Sequence, residues 1–277
     1  MADEGVTLIT GASSGIGLET ARMLVQKNVR VFGTRLSHET FAEPGLEVLE
    51  LDVNLDSSVS ACVAEVVKRA GRLDVLVNNA GAGFVGMVEE TSIEEARALF
   101  ETNYFGTVRM IRAALPIMRA QGSGLIINVS SVAGNIGVPY EAHYCASKLA
   151  IASLTRALRW ELAAFGVQVV VVSPGCVRTP FYAVLGKPAA PLTDYDGVRR
   201  SALACFEKAI RGGCDARTIA RTIVKVIKSK SPAAQHWAGS DARVYGLAHR
   251  FLPNYVVDWV MRSKFRPRPA GAGAARG

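Results

Sequence analysis

Short β-branched runs that alternate with longer segments of helical period limit most strongly what this chain can fold into. Val6–Thr10, Val29–Thr34, Glu47–Leu51, Leu73–Asn78, Leu125–Ser130 and Val167–Ser173 are apolar at nearly every position, the pattern of strands covered on both faces. Between them, Gly15–Lys27, Asp56–Ala70, Ser92–Ala120 and Tyr144–Phe165 carry helical periodicity. Such alternation needs crossover connections, and right-handed crossovers produce a doubly wound parallel sheet. A short run at Gln235–Ala238 is expected to bring the sheet to about seven strands. Asp215 reads as the N-cap of a helix through Lys228, and Pro116 is expected to kink or end the long third helix.

The chain has 277 residues, 49% hydrophobic and 20% charged, which is ample for one large core. No repeat or linker divides it, so residues 1–265 are expected to form a single domain. Within it, Thr179–Gly213 is long, irregular and contains three prolines, which predicts a substrate lid or binding loop. Residues 266–277, rich in Pro, Gly, Ala and Arg, are expected to be disordered. The formal net charge is +8, but the basic residues are dispersed, with the densest group at Arg262 to Arg268. No nucleic-acid recognition motif accompanies them, so a nucleic-acid partner is not expected.

Cys62, Cys145, Cys176, Cys205 and Cys214 form no C-x-x-C pair, and the four histidines are scattered. That usage predicts a reduced chain without a metal site. The opening Met-Ala-Asp-Glu-Gly is acidic and lacks the basic and apolar stretches of a secretory leader. No run reaches the roughly 18 apolar residues of a transmembrane segment. A cytoplasmic protein is the expectation.

The first strand leads into Thr10-Gly11-Ala12-Ser13-Ser14-Gly15-Ile16-Gly17 and then a helix. Glycines there permit a tight turn and close approach of a pyrophosphate to backbone N–H groups at a helix N-terminus. A sheet that binds a dinucleotide needs a ribose-reading residue after strand two, and Arg35 occupies that position. A guanidinium suits a 2′-phosphate, which favours NADP(H), with NAD(H) as the alternative.

Tyr144-Cys145-Ala146-Ser147-Lys148 puts a phenol and an ammonium on one helical face. A free phenol, with a pKa of about 10, is a poor base at neutral pH. A cation roughly 5 Å away, at an effective dielectric of about 20, favours the phenolate by about 3 kcal/mol.

Taken in order, the glycine run, Asn78-Asn79-Ala80-Gly81, Asn103, Ser131, Tyr144/Lys148 and Pro174-Gly175 resemble the short-chain dehydrogenase/reductase family over about Val6 to Thr179. The resemblance implies a Rossmann-type, doubly wound parallel sheet of about seven strands flanked by helices. It implies an NAD(P)-dependent oxidoreductase acting on a small-molecule carbonyl or alcohol, as a homodimer or homotetramer.

Residue by residue, it makes Tyr144 the general acid/base and Lys148 the group that lowers its pKa and holds the nicotinamide ribose. Ser131 binds the reacting oxygen, with the adjacent Ser130 as its rival, and Asn103 orders a water beyond Lys148. Cofactor contacts are implied at Gly11, Ser13, Ser14, Gly15, Ile16, Gly17, Asp52, Val53, Asn79, Ala80, Gly81, Pro174, Gly175, Val177 and Thr179, besides Arg35, Tyr144 and Lys148. Arg35 stands at the family's acidic position, whereas many NADP-using relatives carry the basic residue one place later, at Leu36 here.

Ser131-Val132-Ala133-Gly134 and Asn103-Tyr104-Phe105-Gly106-Thr107-Val108-Arg109 are similar to the hydroxysteroid and retinol dehydrogenase branch. With Phe181, Tyr182, Val184, Leu185, Leu203 and Phe206 in the presumptive loop, this implies a bulky lipophilic substrate. A 3-oxoacyl thioester reductase is the alternative within the class. An epimerase or dehydratase and a non-catalytic nucleotide sensor stand outside it. Val244–Phe265 mixes apolar and basic residues and is expected to pack beside the substrate mouth or at a subunit contact, or else to touch a membrane surface peripherally.

Overall fold

The computed structural model describes residues 5–251 together with 255, 256, 259, 262 and 263. The tail at 266–277, and the side chains of Phe251, Leu252, Val257, Val260 and Phe265 in the C-terminal segment, lie outside the described residues.

Seven parallel strands form one sheet: β1 (Thr7–Ile9), β2 (Val31–Arg35), β3 (Glu47–Glu50), β4 (Val75–Asn78), β5 (Gly124–Val129), β6 (Val167–Pro174) and, at its far edge, the strand Gln235–Ala238. Spatial order is β3-β2-β1-β4-β5-β6 and then Gln235–Ala238, so the winding reverses between β1 and β4. Ligands of such sheets bind outside the carboxyl ends of the strands at that reversal.

Because side chains alternate along a strand, each central strand supplies both cores. Leu8, Leu76 and Ile126 face one way, against Val59, Val63 and Val66 of α2 (Asp56–Ala70) and Met110, Ala114 and Met118 of α4 (Gly106–Gln121). Their neighbours Ile9, Val77 and Ile127 face the other way, against Ala21 and Leu24 of α1 (Gly15–Val25) and Ile219 and Ile223 of the helix Ala216–Ile227. Burial on both faces is why these strands read as unbroken apolar runs.

The long third helix departs from expectation. Ser92 and Glu95 form a reciprocal capping box at the start of α3 (Ile93–Phe100). The discontinuity then falls at a π-helical turn, Glu101–Phe105, and α4 runs through Pro116 to Gln121. The break is set by the turn carrying Asn103, not by the proline. At the carboxyl end of the sheet follow α5 (Ala133–Ile136) and α6 (Ala142–Glu161), whose first turn carries Tyr144.

The stretch Thr179–Gly213 is also more ordered than its composition suggested. β7 (Val177–Arg178) and β8 (Cys214–Asp215) pair in parallel and close its base. Between them lie a 3-10 turn at Pro180–Val184, another at Thr193–Tyr195, and α7 (Asp196–Arg211). As expected, Asp215 caps the next helix, α8 (Ala216–Ile227), its carboxylate accepting from the Arg217 N–H at 2.8 Å. The edge strand then becomes β9 (Gln235–Ala238) and is followed by α9 (Ser240–Phe251). In the C-terminal segment Val244, Tyr255 and Trp259 are exposed. No helix among the described residues is long and apolar enough to cross a membrane.

Candidate active site

A cleft of about 620 Å³ runs along the carboxyl ends of β2, β1, β4, β5 and β6, within the usual range for small-molecule sites. Its floor is the turn between β1 and α1. Gly11 has φ +64°, a conformation open to glycine, and a Cβ on Gly17 would lie 2.3 Å from the Gly11 carbonyl oxygen. Gly17 therefore lets α1 seat against the turn.

The turn is fixed from beneath. Thr10 Oγ1 accepts from the Asn79 and Ala80 N–H groups at 3.0 and 2.9 Å. Asn79 Nδ2 donates to the Thr10 and Gly11 carbonyls, and Thr34 Oγ1 accepts from the Gly11 N–H at 3.1 Å. The Ser14 hydroxyl caps none of the first-turn N–H groups of α1, and no acidic residue lies in that turn. An uncapped helix N-terminus facing a cleft, with a glycine floor, fits the pyrophosphate of a dinucleotide.

Arg35, Asp52 and Val53 line the far end of the cleft. The Arg35 guanidinium donates to the Leu36 and Ser37 carbonyls at 2.9 and 3.0 Å and to Glu50 at 3.0 Å. Its charge already has a carboxylate partner, which the sequence reading did not foresee.

At the other end, β5 delivers two adjacent serines that point apart. The Ser130 hydroxyl donates to the Lys148 carbonyl at 2.7 Å and is buried against α6. Both serines border the cleft, but it is Ser131 that acts on the Tyr144 phenol, its oxygen also accepting from the Ala133 N–H at 3.1 Å. Lys148 Nζ donates to the Val129 carbonyl at 3.3 Å and lies 5.8 Å from the Tyr144 ring centroid.

Asn103 is buried behind the wall. It bonds both Ala82 backbone groups, at 2.8 and 3.0 Å, and the Ser147 hydroxyl at 3.0 Å. A side chain added at Gly81 would meet Asn103 Oδ1 at 3.0 Å and Lys148 Nζ at 3.2 Å. The amide and the ammonium therefore face the same spot.

Burial dominates the electrostatics. It holds the Tyr144 phenol above the ordinary tyrosine range, with nearby Tyr182 and Glu141 adding to the effect and the Ser131 hydrogen bond opposing it. Burial also lowers the Lys148 ammonium to about 8. Low-polarity surroundings disfavour the charged form of each group. Burial therefore favours the neutral phenol beside a lysine of lowered basicity, against the preformed phenolate that simple Coulomb attraction predicts.

Over this end folds the segment after β7. The Phe181 ring centroid lies 6.2 Å from that of Tyr144, and Tyr182 packs edge-on against Phe181 at 5.6 Å. Pro180 and Val184 complete the wall. The segment is fastened: Leu192 N–H donates to Glu90 at 2.8 Å, Ala189 N–H to Glu95 at 2.9 Å, and Arg199 of α7 pairs with the buried Glu90. Leu203 and Phe206 turn from the cleft and pack with Val85, Tyr140 and Ala202.

The cleft thus gathers Gly11, Ser13, Ser14, Gly15, Ile16, Arg35, Asp52, Val53, Asn79, Ala80, Gly81, Ser131, Tyr144, Lys148, Pro174, Gly175, Val177 and Thr179. Gly17 and Asn103 stand behind its walls and act on it through their neighbours. Sequence reasoning missed Thr34, Leu36, Glu39, Asn54, Ala82 and Thr102, which also line it. Thr34 was legible in principle, as the last apolar-strand position beside Arg35. Leu36, Glu39, Asn54 and Ala82 come from loops without periodic signal, and Thr102 from the π-helical turn.

The family described as short chain dehydrogenase matches residues 5–189. A 3-ketodihydrosphingosine reductase of Bacteroides thetaiotaomicron is 36% identical over 263 residues, spanning 93% of this chain and 96% of its own. The 17-beta-hydroxysteroid dehydrogenase type 1 of Mus musculus is 34% identical over 271 residues, spanning 91% and 76%. A solved short-chain dehydrogenase from Streptomyces avermitilis superposes with a TM-score of 0.80 at 31% identity, over 94% of this chain and 98% of that one. One from Burkholderia cenocepacia, solved in complex with NADP, gives 0.73 at 25% identity, over 94% and 97%.

Proposed function

This chain belongs to the short-chain dehydrogenase family, an oxidoreductase acting on keto or hydroxyl groups, and we propose that it favours NADP(H) over NAD(H) and takes a bulky lipophilic ketone or a secondary or primary alcohol, with Tyr144 as general acid/base. The observation that carries this reading is the meeting of Ser131, Tyr144 and Lys148 under the Phe181–Tyr182 wall, at one end of a glycine-floored cleft. The relatives named for a keto-sphingoid base and for a steroid support a large apolar substrate. The NADP complex of a structural neighbour supports the cofactor. Residues 1–265 act on this reading as one catalytic unit.

The bound nicotinamide supplies the hydride chemistry; the chain supplies orientation and the proton. Gly11, Ser13, Ser14, Gly15 and Ile16 hold the pyrophosphate at the α1 N-terminus, and Asn79, Ala80 and Gly81 line its path. Asp52 and Val53 flank the adenine, Arg35 meets the 2′-phosphate, and Pro174, Gly175, Val177 and Thr179 border the nicotinamide. Ser131 holds the substrate oxygen beside the Tyr144 hydroxyl. Tyr144 donates its proton to that oxygen in reduction and recovers it from the alcohol in oxidation.

A phenol kept neutral by burial suits the acid role directly. The basic role requires nearby positive charge, which Lys148 supplies when protonated. Lys148 also holds the nicotinamide ribose, and Asn103 orders the water that relays the proton beyond it. Absorbance at 340 nm with a ketone panel, NADPH and NADH tests the reading. Turnover should favour large apolar ketones with NADPH and fall by about 100-fold or more in Tyr144→Phe, the usual scale of general acid/base catalysis. Substantial turnover in Tyr144→Phe would remove the assignment.

A further inference from the structure

Asp241 stands in the first turn of α9, where a carboxylate ordinarily does no more than complement the helix dipole. Here it is turned back onto the sheet. Its Oδ2 accepts from the Cys176 N–H at 2.7 Å, and its Oδ1 accepts from the Ala242 N–H at 2.9 Å. Two glycines make room for this approach. A Cβ on Gly175 would lie 2.1 Å from Oδ1 and 2.2 Å from Oδ2, and one on Gly239, whose φ is +104°, 2.9 Å from Oδ1. The pairing of Pro174 with Ala238 at the sheet edge, and the bond from the Gly175 N–H to the Ala238 carbonyl at 3.1 Å, bring the two segments together.

Gly175 lines the cleft and Asp241 does not, so the carboxylate rests behind the backbone that borders the nicotinamide on the reading above. No cation pairs with it among the described residues. The acids that do line the cleft, Glu39 and Asp52, belong with Leu36 and Arg35 to its far end. The charged side chain lining the reacting end is Lys148, whose ammonium works against a second positive charge there. The Asp241 charge reaches the cleft: burial holds the Tyr182 phenol above its ordinary range, and Asp241 is among the groups that add to this.

We propose that Asp241 is a positioning residue for the nicotinamide border, and that its uncompensated charge makes the protein favour the oxidised, cationic ring over the reduced, neutral one. This rests on the reading of the cleft as an NADP(H) site. In ketone reduction the carbonyl carbon takes a hydride from the reduced nicotinamide and the carbonyl oxygen takes the Tyr144 proton, which leaves the ring with one positive charge. A fixed negative charge behind Gly175 stabilises that side of the reaction. The balance on the protein thereby tilts towards the alcohol. The bond to the Cys176 N–H does the positioning, since it fixes the backbone that follows Gly175.

The experiment measures dissociation constants of NADP+ and NADPH for the full chain by calorimetry, with no substrate present. Asp241→Asn should weaken NADP+ relative to NADPH by about 4- to 16-fold, the effect of one unit charge about 10 Å away at an effective dielectric of about 40 to 20. The variant also gives up one of the two hydrogen bonds. Loosening of Gly175 weakens both forms alike, so the ratio isolates the charge. Ser240→Lys keeps both bonds and sets a cation beside the carboxylate from an exposed position; it should move the ratio the same way by about 2-fold, the scale of an exposed pair. A ratio unchanged in both variants would overturn the charge assignment, and unchanged constants for both cofactors in Asp241→Asn would overturn the positioning role with it. Failure of wild type to bind either form would instead remove the reading of the cleft on which the proposal stands.

Discussion

The Lys148 ammonium lies 5.8 Å from the Tyr144 ring centroid, and burial acts on both groups against charge. The lysine carries a stability cost as a result. Its folded pKa of about 8 is below the ordinary 10.5, so between those values the unfolded chain binds more protons. Stability therefore rises with pH across that window, and below pH 8 the native state bears the whole cost of a buried ammonium. At about 1.4 kcal/mol per pH unit, the cost is at most about 3 kcal/mol. Lys148→Met should raise Tm by several degrees at pH 7 and remove the rise between pH 8 and 10, while abolishing most turnover. Thermal melts at both pH values check it. A lower Tm at pH 7 would mean that the bond to Val129 outweighs desolvation.

Glu141 has the opposite dependence. Its folded pKa, about 7, stands above the ordinary 4.5, so between these values the native state binds the extra proton and stability falls as pH rises. The ionisable groups it bears on, Tyr144, Tyr182 and Cys145, are themselves held up and stay neutral in this window. Glu141→Gln should leave Tm unchanged near pH 4.5 and raise it at pH 8, by the equivalent of up to about 3 kcal/mol. Identical pH dependence in the two proteins would mean that the carboxyl is better hydrated than its burial indicates.

The fold was legible because both of its faces are buried: strands such as β4 and β5 carry Leu, Val and Ile at successive positions, and only a sheet covered on two sides needs that. Motif order then located the glycine turn, Ser131 and the Tyr144/Lys148 face. Three features were not legible, each for a physical reason. The π-helical turn at Glu101–Phe105 keeps helical periodicity, so Pro116 drew attention away from it. The segment after Thr179 looked irregular because α7 buries little of its surface, Ala202 being its one buried residue. Glu141 has no sequence signal that separates it from a solvated acid, and only its burial in the fold marks it out.

Phe181 and Tyr182 form the wall facing Tyr144, while the segment that carries them is pinned through Leu192, Arg199 and Glu90. Trimming both aromatics to Ala removes apolar contact without releasing those fastenings. At roughly 25 cal/mol per Å² of lost apolar contact, the KM of a large lipophilic ketone should rise by about 10-fold or more, and that of a small ketone by much less. Steady-state kinetics on the pair checks this. An equal effect on both substrates would assign the two rings to packing alone.

Arg35 and Glu50 face each other across the β2–β3 register, joined at 3.0 Å, and on the proposed reading this pair sets the cofactor preference. A guanidinium contributes roughly 1.5–3 kcal/mol to a phosphate through charge-assisted hydrogen bonds, about 10- to 150-fold in affinity. Arg35→Ala should weaken NADPH by about that factor and leave NADH nearly unchanged, since NADH has no 2′-phosphate to lose. Glu50 competes for the same guanidinium and repels the phosphate. Its side chain is 61% exposed, and a pair of that kind is worth at most about 1 kcal/mol. Glu50→Gln should therefore tighten NADPH by up to about 5-fold, again without affecting NADH, and the gain should shrink as ionic strength rises. In the double variant the effect of Glu50→Gln should largely vanish, because the group it competes for is gone. Fluorescence titration of both cofactors at two salt concentrations gives all of these constants. Equal weakening of NADPH and NADH in Arg35→Ala would reduce Arg35 to a structural partner of Glu50 and leave the preference for NADPH without a residue to carry it.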